Sequence, residues 1–244
     1  MKLSEEMKNK TLLSFELFPP KTEKGLQNLP GTIDHLMKYN PSYISCTYGA
    51  GGGNVGANRE VCQMIKNAGT TPVTHFTVIK NTKEGIKEQL DQYLADGVDH
   101  MLALRGDIPL GETTTCGDFD YATDLVKFVR DTYGDKFEIA VAGSPEGHIS
   151  CRSLESDIAV LKQKQDNGAD YIMTQLCWDM EQFKYWLDAI RKAGVTMPVD
   201  VGVMPILDQA ATINMALSRN GCVMDSELCR LISRNWLFPN PFNA

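Results

Sequence analysis

Two carboxylates stand where a strand would bury them. Glu16 lies inside the apolar run Ser14-Phe15-Glu16-Leu17-Phe18-Pro19-Pro20, and Asp107 ends the run Leu102-Ala103-Leu104-Arg105-Gly106-Asp107. A carboxylate at the end of a buried strand loses hydration, so it needs a partner or a task. Strand alternation puts Glu16 and Phe18 on one face and Phe15 and Leu17 on the other. Desolvated there, Glu16 would keep its proton to higher pH and serve as a general acid. The competing reading is an interior acid neutralised by a lysine. Asp107 reads as a turn residue after Gly106 or as a site acid, and Arg105 with the preceding strand favours the site. Thr47, Tyr48 and His75 also fall at strand ends, although a lone histidine between Thr74 and Phe76 equally suits packing. Gln175 closes Ile172-Met173-Thr174-Gln175 and offers a donor and an acceptor together, suited to a heteroaromatic ring edge. Asp157 and Lys164 share one predicted helix and could simply be solvated. No Ser-His-Asp order and no Walker-type phosphate loop is visible.

Such groups need a scaffold that gathers strand ends. Strand candidates are Leu12–Phe18, Tyr43–Tyr48, Pro72–Ile79, His100–Leu104, Glu138–Ala142, Tyr171–Gln175 and Pro198–Met204. Amphipathic stretches alternate with them at Thr82–Asp96, Tyr121–Thr132, Ser153–Asn167 and Met180–Ala193. Gly69, Gly97, Gly168 and Gly194 follow predicted helices as C-terminal caps. A repeated β-then-α order predicts a parallel sheet with right-handed crossovers. Gly51, Gly53 and Gly56 spell a formal G-x-G-x-x-G after a strand. The next strand ends Thr77-Val78-Ile79-Lys80 without the acid that a dinucleotide site needs. The reading is therefore a (β/α)8 TIM-type barrel, with catalytic groups at the C-terminal strand ends. About seven strand candidates fall one short of eight, and the tail Asn235–Ala244, with Pro239 and Pro241, suits no central strand. The expectation is a barrel lacking its last β/α unit in this chain, through truncation or with the gap filled by another chain or the tail. One catalytic domain over 1–244 is expected.

At 43% hydrophobic and 23% charged residues the composition is that of an ordinary globular protein. A net charge of -7 argues against a nucleic-acid partner. No stretch approaches a membrane span, and Met1–Lys10 has no apolar core, so a cytoplasmic protein is expected. Seven cysteines with no Cys-x-x-Cys pair match no zinc pattern, and no metal site is expected. Cys46, Cys151 and Cys177 read as buried free thiols.

Phe15-Glu16-x-Phe18-Pro19-Pro20, Thr47-Tyr48-Gly49-Ala50, Ala103-Leu104-Arg105-Gly106-Asp107, Pro145-Glu146-x-His148 and Thr174-Gln175 together closely resemble the methylenetetrahydrofolate reductase family, in its order and across most of the chain. The resemblance implies a flavin-bearing barrel that reduces 5,10-methylenetetrahydrofolate to 5-methyltetrahydrofolate. It assigns Glu16 as the general acid toward N10, Asp107 as the acid beside flavin and pterin, and Gln175 as the pterin-binding amide. It gives the flavin Thr47, His75, Leu104, Arg105, Gly106, Asp107, Tyr121, Ala122, His148, Asp157 and Lys164. The implied cofactor is FAD, with FMN left open by two departures: Ser144 where a bulky aromatic is common, and Gln163 where a basic residue is common. The implied partners are methylenetetrahydrofolate, NAD(P)H or a protein electron donor, and either further copies of the chain or another subunit. A non-redox pterin-binding barrel and a non-catalytic partner subunit are the alternatives.

Overall fold

Short runs rich in apolar and β-branched residues become the strands: β1 (Ser14–Leu17), β2 (Tyr43–Cys46), β3 (Thr71–Thr77), β4 (His100–Leu104), β5 (Glu138–Gly143), β6 (Tyr171–Thr174) and β7 (Val199–Asp200). The computed structural model describes residues 2–48, 55–108, 111–148, 151–217, 224 and 226–237. The strands hydrogen-bond in chain order from β1 to β7, and the four pairings from β1 to β5 are parallel. The helices are α1 (Leu3–Met7), α2 (Glu23–Met37), α3 (Val55–Asn67), α4 (Lys83–Ala95), α5 (Ala122–Tyr133), α6 (Leu154–Asp166), α7 (Met180–Lys192), α8 (Gln209–Leu217) and α9 (Ser226–Leu237). This is the expected α/β alternation. Gly69, Gly97, Gly168 and Gly194 all take positive φ after their helices, as the caps require. Among the described residues no helix is long and apolar enough to cross a membrane. The run Gly49–Asn54, Cys222 and residues 238–244 of the tail lie outside the described residues.

The chain divides into two compact units. The first comprises Met1–Ala142, Gln163–Ile172 and Met197–Val199. Its core includes Ile44, Val73, Phe76, Val61, Ile65, Ile86, Leu90 and Tyr93, all out of contact with water. One polar side chain joins four of its elements. Asn58, fully buried on α3, accepts hydrogen bonds at Oδ1 from Thr74 of β3 (2.8 Å) and Tyr93 of α4 (2.7 Å). Its Nδ2 donates to the carbonyls of Cys46 (3.0 Å) and Thr47 (3.1 Å), at the end of β2. The buried Cys46 thiol is held well above the usual thiol range by a hydrogen bond shared with Cys62 and by burial, so it is protonated and inert.

At the other end of the strands, Glu138 is buried and its carboxylate accepts from the amides of Leu3 and Ser4, both at 2.7 Å. These amides begin α1 and would otherwise lack partners. His100 Nε2 lies 2.9 Å from Glu138 and Nδ1 lies 2.7 Å from Asp99. Burial would lower the His100 pKa, but its hydrogen bond with Asp99 and the two carboxylates beside its ring nitrogens raise it to about 9. Burial would likewise raise Glu138, but His100, Ser4 and Leu3 hold it down at about 2.

In the second unit, Gly143–Lys162, Met173–Thr196 and Asp200–Ala244, α7 begins on Asp179, whose carboxylate accepts from the amides of Glu181 (2.9 Å) and Gln182 (3.0 Å). It buries Trp186 and Ile190. The strand expected over Pro198–Met204 is regular only at Val199–Asp200. The ladder stops because the Gly202 N–H turns to the Thr174 side-chain oxygen (2.9 Å), and a Cβ at Gly202 would lie 2.8 Å from the Thr174 carbonyl.

Two outcomes follow. Asn58→Ala strands two buried hydroxyl donors, each costing about 1–3 kcal/mol. It should lower unfolding free energy by about 3 kcal/mol in urea titration, and a loss under about 0.5 kcal/mol would show that the network is not stabilising. The Glu138 contribution is complete above its ordinary pKa of 4.5 and lost as pH falls through about 2. The His100 contribution is complete below its ordinary 6.5 and lost as pH rises through about 9. Hydrogen-exchange protection of the Leu3 and Ser4 amides, corrected for intrinsic exchange, should therefore be greatest between those ordinary values and fall as pH rises from 6.5 through about 9. Protection that rises through that upper range would contradict a role for His100 and Glu138 in holding the start of α1.

Candidate active site

The pleat of β3 decides which side chains meet. Thr74 reaches Asn58 on α3, and Phe76 packs against Tyr48 and Tyr93, so these two face the helices. His75 and Thr77 therefore face the other way. Glu16 of β1 is on that same side, with its Oε2 3.5 Å from His75 Nε2. Thr47 continues the sheet beyond β2, its amide donating to the Leu17 carbonyl at 2.9 Å. Thr77 stands opposite Leu104 in the β3–β4 register. Glu16, Thr47, His75 and Leu104 thus gather at the C-terminal ends of four adjacent parallel strands.

The electrostatics follow from burial. His75 is buried, which lowers its pKa to about 4, so its imidazole is neutral at physiological pH. Partial burial raises the Glu16 carboxyl above its ordinary value, and a neutral imidazole does not offset that with charge. The Glu16 side chain keeps 45% of its surface exposed, which limits the shift and leaves the proton accessible. Among the described residues no lysine forms an ion pair with Glu16; its recorded neighbour is the neutral His75.

His75 Nε2 and Thr77 Oγ1 are buried without a hydrogen-bond partner among the described residues. Unpaired buried polar atoms are costly, and two on one face suit a ligand bearing polar atoms on an apolar body. The flavin implied by resemblance has that character, so these residues fit it. Beyond β4 the chain turns at Gly106, with φ +85°, where a Cβ would lie 2.5 Å from Ile79 Cγ1. Arg105 Nε donates to the Gly106 carbonyl at 3.2 Å, and Asp107 is exposed in the following loop. Tyr121, 61% exposed, caps α5, its amide donating to Asp124, and Ala122 begins that helix. Lys164 Nζ donates to the Ala142 carbonyl at 3.0 Å. Among the described residues no group of three or more His, Cys, Asp or Glu could hold a metal ion.

The second unit holds the remaining candidates. Ser144 opens a turn that closes with the Gly147 amide on its carbonyl (2.9 Å). The Asp157 carboxylate accepts from the His148 amide at 3.2 Å, bringing those two together. Gln175 is anchored by its amide to the Gly143 carbonyl at 2.8 Å. Burial raises the Glu146 carboxyl despite a hydrogen bond with Cys177, and raises that buried thiol to about 12. Thr77 and Asn58 escaped sequence reasoning. Alternation with His75 was a usable signal for the first, and none marked the second.

The family model described as methylenetetrahydrofolate reductase matches residues 2–227. Methylenetetrahydrofolate reductase (NADH) 1 of Arabidopsis thaliana is 37% identical over 219 residues, covering 84% of this chain and 37% of that protein. The 5,10-methylenetetrahydrofolate reductase of Escherichia coli is 33% identical over 202 residues, covering 82% of this chain and 67% of that protein. The chain thus spans little more than a third of the plant relatives it matches. A solved Clostridium thermocellum protein, described as binding two copies of 5-methyl-5,6,7,8-tetrahydrofolic acid, matches with a TM-score of 0.70 at 13% identity. That match covers 96% of this chain and 80% of the other, and it bears on the fold alone.

Proposed function

The chain belongs to the methylenetetrahydrofolate reductase family, and from that premise we propose that it reduces 5,10-methylenetetrahydrofolate to 5-methyltetrahydrofolate with a bound flavin on a TIM-type barrel. The observation that carries the proposal is the Glu16 carboxyl, raised by burial and facing a neutral His75 at 3.5 Å. A group that only binds folate needs no such acid.

Glu16 holds a proton and delivers it to N10 of the substrate, opening the five-membered ring to an iminium at N5. The raised pKa keeps more of the acid protonated near neutrality, and the exposed part of the side chain lets substrate reach it. A reduced flavin held by the residues named below would supply the hydride for the substrate's one-carbon unit. His75 stays neutral, so it adds no positive charge where a cation develops. Asp107 is proposed to stabilise that cation by charge, and Gln175 to hold the pterin edge through its amide. Thr47, His75, Leu104, Arg105, Gly106, Asp107, Tyr121, Ala122 and Lys164 of the first unit are proposed to bind the flavin, with His148 and Asp157 of the second. FAD is the proposed form. The NADH named in the plant relatives supports a reduced nicotinamide as electron donor.

Glu16→Gln keeps the side-chain shape and removes the proton. Flavin binding and flavin reduction by NADH should stay near the parent values, while anaerobic reduction of methylenetetrahydrofolate should slow by about 10²–10⁴-fold. Folate reduction at close to the parent rate would remove Glu16 from the mechanism.

A further inference from the structure

We infer that the Thr77 hydroxyl is a further flavin-binding group, at a position outside the motifs that carry the family resemblance. The inference rests on the flavin reading above. Thr77 is 2% exposed, and its Oγ1 has no hydrogen-bond partner among the described residues. The surrounding main chain is not at fault, since the Thr77 carbonyl accepts from Asn81 Nδ2 at 3.1 Å. Only the hydroxyl is left over.

Three observations aim that hydroxyl at a ligand. On β3 the other face is already settled, with Thr74 Oγ1 donating to Asn58 at 2.8 Å, so the fold can satisfy a threonine where it has no binding role. Thr77 shares its face with His75, whose Nε2 is likewise buried and unpartnered and lies beside Glu16. Leu104 in register and Ile79 beside Gly106 are apolar and offer the hydroxyl no partner, and a Cβ at Gly106 would lie 3.1 Å from Thr77 Cβ, so only glycine lets the chain after β4 pass this close to the strand end. Valine has the same shape and the same strand preference, and would fill this position without a buried hydroxyl. A hydroxyl retained against that alternative penalises the unliganded protein and benefits the liganded one.

The test uses the 244-residue chain stripped of flavin, with Thr77→Val and Thr77→Ser variants. FAD is titrated by fluorescence quenching, and thermal unfolding is measured without flavin. Thr77→Val should bind FAD about 3- to 10-fold more weakly than the parent, the loss of one neutral hydrogen bond. Thr77→Ser, which keeps the hydroxyl, should stay within about twofold of the parent. Flavin-free Thr77→Val should melt no lower than the parent. Equal FAD affinity in parent and Thr77→Val overturns the assignment while leaving the flavin reading standing. A Thr77→Val protein that fails to fold, or melts well below the parent without flavin, also overturns it, because the hydroxyl would then be structural. A parent that binds no flavin overturns both.

Discussion

A strand buried on both faces cannot leave polar side chains to water, so each must be paired within the protein or kept unpaired at a cost. β3 shows both outcomes on one strand. Toward the helices, Thr74 is paired through Asn58, which also holds the end of β2 and the Tyr93 hydroxyl. Toward the opposite face, His75 Nε2 and Thr77 Oγ1 are unpaired. The paired side fixes the strand ends; the unpaired side is where a ligand has something to gain. The geometry of the site therefore depends on a network that lies mostly behind it and meets it at Thr47, with Asn58 holding the Cys46 and Thr47 carbonyls at the end of β2.

Burial also sorts the two ends of the sheet by charge state. At the N-terminal ends, Glu138 is buried beside two amides and a charged histidine, and its pKa falls to about 2. At the C-terminal ends, Glu16 faces a histidine that burial has made neutral, and its pKa rises. The same two residue types give opposite results because of their other partners. Glu138 has donors enough to remain an anion that pins α1. Glu16 lacks them, which suits a group that must give up a proton and recover it.

Much of this was legible in the sequence. Apolar runs located all seven strands among the described residues, and the capping glycines marked four helix ends. Glu16 was identifiable because an acid inside Phe15-Glu16-Leu17-Phe18 has few bland explanations. Other features needed three dimensions. α2 carries Pro30 and Gly31 mid-helix, a pair that reads locally as a turn, yet Leu29 and Ile33 bury and hold the helix together. β7 is short because Gly202 spends its amide on a side chain, which no local pattern announces. Thr77 looks like an ordinary strand threonine until its hydroxyl is seen to lack a partner, and Asn58 looks like an ordinary helix asparagine. Asp107 is exposed in the structure, so its proposed role rests on the motif and not on burial.

The central claim is that Glu16 is a carboxylic acid whose pKa is raised and whose proton is spent on folate. The direct measurement is the pH dependence of a single anaerobic turnover of methylenetetrahydrofolate by pre-reduced protein, with and without Glu16. In the parent, the rate should fall as pH rises through one ionisation above the ordinary glutamate value of 4.5, and Glu16→Gln should abolish that ionisation. A parent rate that climbs with pH, or an ionisation that persists unchanged in Glu16→Gln, would contradict the claim.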